Sequence, residues 1–153
     1  MPQPTGPRRR FLQATGALAL TGLAPAIVRG QGEPLQLGVL TPLTGAGGFD
    51  GPRMAKAMQA VMDEVNAAGG LLGRKVVLVV QDDQTNPEAA VRAARQLIDV
   101  TKVPAIMGTW ASAVTSAVAP LWWESKTSLT TVSGADSITK LPHQGFLIRS
   151  QPN

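Results

Sequence analysis

Carboxylates, hydroxyls and main-chain groups are the chemistry this chain offers. It has no cysteine and a single histidine, His143, so disulfides, thiolate zinc sites, thiol nucleophiles and multi-histidine metal centres are excluded. Asp82 and Asp83 stand together like a catalytic carboxylate pair. Adjacent residues leaving a strand point to opposite faces, so loop solvation and capping of the next helix is the better reading. His143, between Pro142 and Gln144, reads as an exposed loop histidine, and no Gly-x-Ser-x-Gly elbow accompanies it. Gly45 and Gly47 match two positions of the dinucleotide fingerprint, but the third falls on Asp50, whose charge would repel a pyrophosphate. The more telling run is Gly108-Thr109-Trp110-Ala111-Ser112, which joins a strand end to a helix start. Unpaired amides and the helix dipole there favour an anion, so a carboxylate could dock beside Ser112. Equally, Ser112 could cap its helix while Trp110 covers the sheet end.

Elements that would position these residues are legible from periodicity. Residues 35–40 read as a strand that becomes buried, followed by the glycine-rich turn at 44–48. Met54, Ala57, Met58, Val61, Met62 and Val65 form one face of an amphipathic helix stopped by Gly69-Gly70. Lys75–Val80 is a β-branched buried strand. Asn86-Pro87-Glu88 opens a second helix with an inner face of Ala90, Val91, Ala94, Leu97 and Ile98. A strand at 103–107, a helix from about Ser112 with Val114, Val118, Leu121 and Trp122 inward, and strands at 128–132 and 146–149 complete the series. Pro120 either kinks the third helix or delays its start. This alternation calls for a doubly wound α/β fold, a mostly parallel sheet with helices on both faces.

Of the 153 residues, 44% are apolar, ample for a core, and the formal net charge is +4. Much of that charge is Arg8-Arg9-Arg10, followed by an uncharged, moderately apolar stretch from Phe11 to Val28 and the small-residue end Ala24-Pro25-Ala26. Such a tract reads as an export signal, residues 1–26, cleaved near Ala26, and not as a membrane-spanning helix. Arg8 to Gln13 resembles the twin-arginine pattern, with Pro7 where a serine usually precedes the arginines. Removing 26 of the 153 residues leaves 127, with eleven basic against ten acidic side chains. Nucleic-acid binding, which needs a basic surface, is therefore not expected.

From Pro34 to Asn153 the chain resembles the first lobe of periplasmic solute-binding proteins of the Leu/Ile/Val-binding type. The resemblance is carried by Gly38 to Gly45, Asn66 to Gly70 with Gly73, Asp82-Asp83, Gly108 to Ser112 and Ser133 to Asp136. It implies a type I periplasmic-binding-protein-like lobe, residues 27–153, incomplete because the second lobe of a two-lobed family would be missing; the chain then reads as an N-terminal fragment or truncated product. It also implies the substrate-binding component of an ABC importer, a periplasmic monomer without enzymatic activity, cofactor or metal. That component would capture a branched-chain or other amino acid or a small amide and deliver it to an inner-membrane permease. The alternative is a ligand-sensing domain of a signalling system with the same fold.

By the same resemblance, Ser112 and its neighbouring amides would grip a ligand carboxylate. Gly134 and Asp136 would face an ammonium group, and Phe49, Trp110 and Ala111 would line the side-chain pocket. Three positions depart from the family pattern. Gly134 stands where alanine or serine is usual and Asp136 where serine or threonine is usual, while Trp110 is bulkier than its counterparts. The family's first-lobe disulfide has no cysteines here.

Overall fold

The computed structural model describes residues 32–142 and 145–152. The export signal expected at 1–26 and His143 lie outside the described residues. Five parallel strands form one sheet in the order β2-β1-β3-β4-β5, namely β1 (Leu35–Thr41), β2 (Val76–Asp82), β3 (Ala105–Gly108), β4 (Ser128–Thr131) and β5 (Leu147–Arg149). The helices are α1 (Gly51–Ala67), α2 (Pro87–Arg95) and α3 (Ser112–Ser125). The doubly wound parallel architecture expected from the alternation is thus the one observed. β1 and β2 pair over seven residues, from Leu35–Val76 to Thr41–Asp82, whereas β1–β3, β3–β4 and β4–β5 pair over three each.

One face of the sheet carries the main core. Leu40, Ile106, Leu129 and Leu147 meet Ala90, Ala94 and Leu97 from α2 and Val114, Val118 and Trp122 from α3, all buried. Alanines on the inner side of α2 let α2 and α3 approach closely. Gly38 shares the reason: a Cβ there would lie 3.0–3.2 Å from Ile106, Leu97 and Val103 side chains. Asn86 caps α2 by accepting the Ala89 amide at 2.8 Å, with Pro87 at the first helical position and Glu88 in the first turn. Beyond Arg95 the helix widens into a π turn, Gln96–Val100, which still buries Leu97. Pro120 sits inside α3 and does not delay its start at Ser112.

The opposite face is thinner. α1 packs on β1 and β2, where Thr41 Oγ1 lies 3.9 Å from Met54 Sδ and Asn66 exchanges two hydrogen bonds with Val76, at 2.7 and 2.9 Å. The apolar stripe of α1 is less buried than its spacing predicts: Val61 is 53% exposed and Met54, Met58, Met62 and Val65 are only half-buried. Ile148, on the same side of β5, is 58% exposed.

Candidate functional site

Parallel sheets bind ligands beyond the carboxyl ends of their strands, at the point where strand order reverses. Here β1 lies between β2 and β3, so the loops after β1, β3 and β4 converge at that end. The first loop is tied to its neighbour by Asp82. Its Oδ1 accepts the amides of Leu43 at 2.8 Å, Thr44 at 3.2 Å and Gln84 at 2.8 Å, and its Oδ2 accepts the Thr44 hydroxyl at 2.6 Å. Burial acts to raise the Asp82 pKa, but the Thr44 hydroxyl and the three amides together outweigh it and hold the carboxyl below its ordinary value. Asp83 is driven the other way. Burial raises it, the Thr85 amide partly offsets this, and the charge of Asp82 adds to the rise. Its Oδ1 accepts the Thr85 amide at 2.8 Å, while Oδ2 is buried without a partner among the described residues. The two aspartates therefore act as separate loop anchors, and neither caps α2, a task left to Asn86.

Opposite shifts give the pair a testable pH signature. A carboxyl raised in the folded state binds its proton more tightly there than when unfolded, so folding stability falls as pH rises from the unfolded value of 3.8 through the folded one. Asp83→Asn is expected to remove that decline above pH 3.8 and leave the loss that Asp82 contributes as pH falls below it, read as unfolding midpoints on both sides of that value. An unchanged pH profile would mean Asp83 does not carry this linkage.

The loop after β3 is held by a buried hydroxyl cluster. Thr109 has φ 55°, an uncommon conformation for a β-branched residue, and is fully buried. Its amide donates to Leu40 O at 2.7 Å and its hydroxyl to Thr131 Oγ1 at 2.7 Å. Thr131 Oγ1 in turn donates to Thr109 O at 2.8 Å. Ser133 Oγ lies 3.1 Å from both Thr109 O and Trp110 O, with Thr115 Oγ1 against it. These bonds fix the carbonyls of 109 and 110, and with them the peptide planes leading into α3. Sequence reasoning did not find this cluster. Its signal was hydroxyl residues at 109, 131 and 133, each at or just beyond a strand end.

Ser112 stands at the first position of α3, and Ala111 is the N-cap with no side-chain bond. Ser112 does not cap its own helix; its Oγ accepts the Ala135 amide at 3.2 Å, joining the β3 and β4 loops. Trp110 is 38% exposed, and a Cβ on Gly47 would lie 3.0 Å from its ring, so it abuts the first loop. Phe49, 73% exposed, lies under the Arg53 guanidinium, 3.4 Å from ring centre to Cζ. Gly134 is exposed beside the Gln151 side chain. Asp136 lies 3.7 Å from Arg149 Nη1, a residue that sequence reasoning treated only as a strand end. Ser112, Ala111, Trp110, Gly134 and Asp136 are thus on two loops in direct contact, with Phe49 on the third. Among the described residues no group of three or more His, Asp or Glu side chains could hold a metal ion. A separate cleft of about 590 Å³, lined by residues including Leu35, Arg74 and Lys102, lies at the other end of the strands.

Hydroxyls and main-chain groups from two neighbouring loops thus converge at one end of the parallel sheet. The chain belongs to the periplasmic binding protein family, whose profile matches residues 34–147. It is 35% identical over 104 residues to Leu/Ile/Val-binding protein homolog 7 of Brucella suis, covering 68% of this chain and 25% of that relative. The branched-chain amino acid transporter substrate binding protein LivJ of Streptococcus pneumoniae, in complex with isoleucine, superposes with a TM-score of 0.71 at 26% identity, over 76% of this chain and 33% of that one. A solute binding protein of an R. palustris ABC transporter, in complex with 4-hydroxybenzoate, gives 0.63 at 26% identity, over 77% and 31%. The chain therefore spans about a quarter to a third of the length of these relatives.

Proposed function

We propose that this chain supplies the first-lobe half of the ligand site of an ABC-importer solute-binding protein. It acts in the periplasm without catalysing a reaction and presents a small carboxylate-bearing solute to an inner-membrane permease. The observation that carries this reading is Ser112, at the first turn of α3 and bonded to the Ala135 amide. A carboxylate there meets the hydroxyl and the free amides of the helix start, with Trp110 and Phe49 as apolar walls. Isoleucine and 4-hydroxybenzoate, held by two of the relatives, share a carboxylate on an apolar body and differ in the ammonium group.

Loss of one hydrogen bond to a charged group costs about 1.5–3 kcal/mol, so Ser112→Ala is expected to weaken binding of these probes roughly ten- to a hundredfold. Calorimetric titration measures it, and a melting curve checks that the variant folds. Equal affinity of a folded Ser112→Ala protein would remove the carboxylate from this position.

A further inference from the structure

The hydroxyls of Thr109, Thr115, Thr131 and Ser133 are fully buried together, and each has a single proton to donate. Thr109 donates to Thr131 Oγ1 at 2.7 Å and Thr131 donates to Thr109 O at 2.8 Å, which closes a ring across the ends of β3 and β4. Thr109 O also accepts the Val132 amide at 3.4 Å. Ser133 Oγ lies 3.1 Å from Thr109 O and equally 3.1 Å from Trp110 O. The second carbonyl has no other donor among the described residues. The Ser133 proton therefore belongs on Trp110 O, because Thr109 O is already supplied and a carbonyl facing a buried cluster is costly to leave unpaired.

A trans peptide is planar, and its N–H points opposite to its carbonyl. Holding Trp110 O against the cluster thus directs the Ala111 N–H away from it. That amide has no acceptor among the described residues, and Ser112 beside it begins α3, whose first amides lack intrahelical partners. Loss of the Ser133 hydroxyl would leave the 109–110 peptide tethered through Thr131 and Val132, but would free the 110–111 peptide. Ser133 is itself fixed, since its amide donates to Thr131 Oγ1 at 3.0 Å. Being fully buried, it cannot reach a solute.

We propose that Ser133 is a positioning residue for solute binding: its hydroxyl holds the Trp110–Ala111 peptide so that the Ala111 amide, beside Ser112, meets the carboxylate. This rests on the reading that a carboxylate docks at Ser112.

Isoleucine and isoleucinamide, in which a neutral amide replaces the carboxylate, are titrated into the full chain and followed by amide NMR shifts. The unaltered chain is expected to prefer isoleucine, and Ser133→Ala to lower that preference about tenfold, as loss of one well-aimed hydrogen bond to a charge would. Without solute, the Ala111 resonance of the variant shifts while those of Leu43 and Thr44, held by Asp82, stay in place. A role in stability alone would weaken both probes equally, and that result would overturn the proposal. So would an unchanged preference in a folded Ser133→Ala protein; if Ser112→Ala still lowers it, the carboxylate site stands without Ser133. Binding of neither probe by the unaltered chain, or equal binding of both, would overturn the site and the positioning role together. Ser133→Cys, similar in size but with only a weak S–H donor, repeats the test and decides it should the alanine variant not fold.

Discussion

Gly108→Ala is expected to destabilise the protein by about 3–5 kcal/mol, one of the two largest effects of a single substitution foreseen here. Gly108 has φ +118°, and a Cβ would lie 2.3 Å from Leu40 O and 3.1 Å from Leu40 C. The obstacle is the backbone of β1, which cannot rotate away as a flexible side chain would. Leu40 O also receives the Thr109 amide at 2.7 Å, so displacing it weakens the bond that holds Thr109 at positive φ. Gly73→Ala is the matched control: its φ is +74°, but nothing lies within 4 Å of the added carbon. Backbone strain alone then costs about 1 kcal/mol. Urea unfolding of both variants separates the two costs, and equal losses would show that the β1–β3 approach yields more readily than its geometry implies.

Trp122→Ala should be comparably damaging. The indole is fully buried in the core between the sheet and α2, and large aromatic truncations there cost about 3–5 kcal/mol. Its Nε1 has no hydrogen-bond partner among the described residues. Trp122→Phe keeps most of the apolar volume and removes that unpaired donor, so its loss is expected to stay below about 1.5 kcal/mol. Denaturant midpoints of the two variants distinguish a packing role from a polar one. A phenylalanine variant as unstable as the alanine one would mean the N–H is satisfied in solution.

The alternation of strand and helix was legible because each buried strand is a short β-branched or apolar run and each helix carries a 3.6-residue stripe. The stripe on α1 misled in degree. Spacing reports which face is apolar but not how much protein covers it, and α1 lies over only the β2–β1 side of the sheet. Asn86 was readable as the start of α2 because Asn-Pro-Glu is a local signal. Ser112 was ambiguous for the same local reason, since a serine before an apolar helix fits both a cap and the first turn. The contact that removes the cap reading is with Ala135, 23 residues away. Arg149 and the Thr109–Thr131–Ser133 cluster were illegible in kind. Their meaning lies in which loops the sheet order brings together, and no window of sequence contains it.

Family membership and the parallel lobe rest on broad agreement along the chain, whereas the import role is carried through relatives several times its length.

The unequal ladders of the sheet set how the molecule breathes. β1 is held on both sides and shares seven paired positions with β2, while β5 hangs on the sheet by three. Opening free energy therefore declines across the sheet toward β5, so the amides of β1 exchange with solvent last and those of β5 first. The two parts of the proposed site sit at different points on that slope. The Asp82-anchored loop belongs to the slow region, and Gly134 to Asp136 with Arg149 belongs to the fast one. A solute bridging Ser112 and the 134–136 loop would join them, so its first effect on the protein would be slower exchange at the β5 edge.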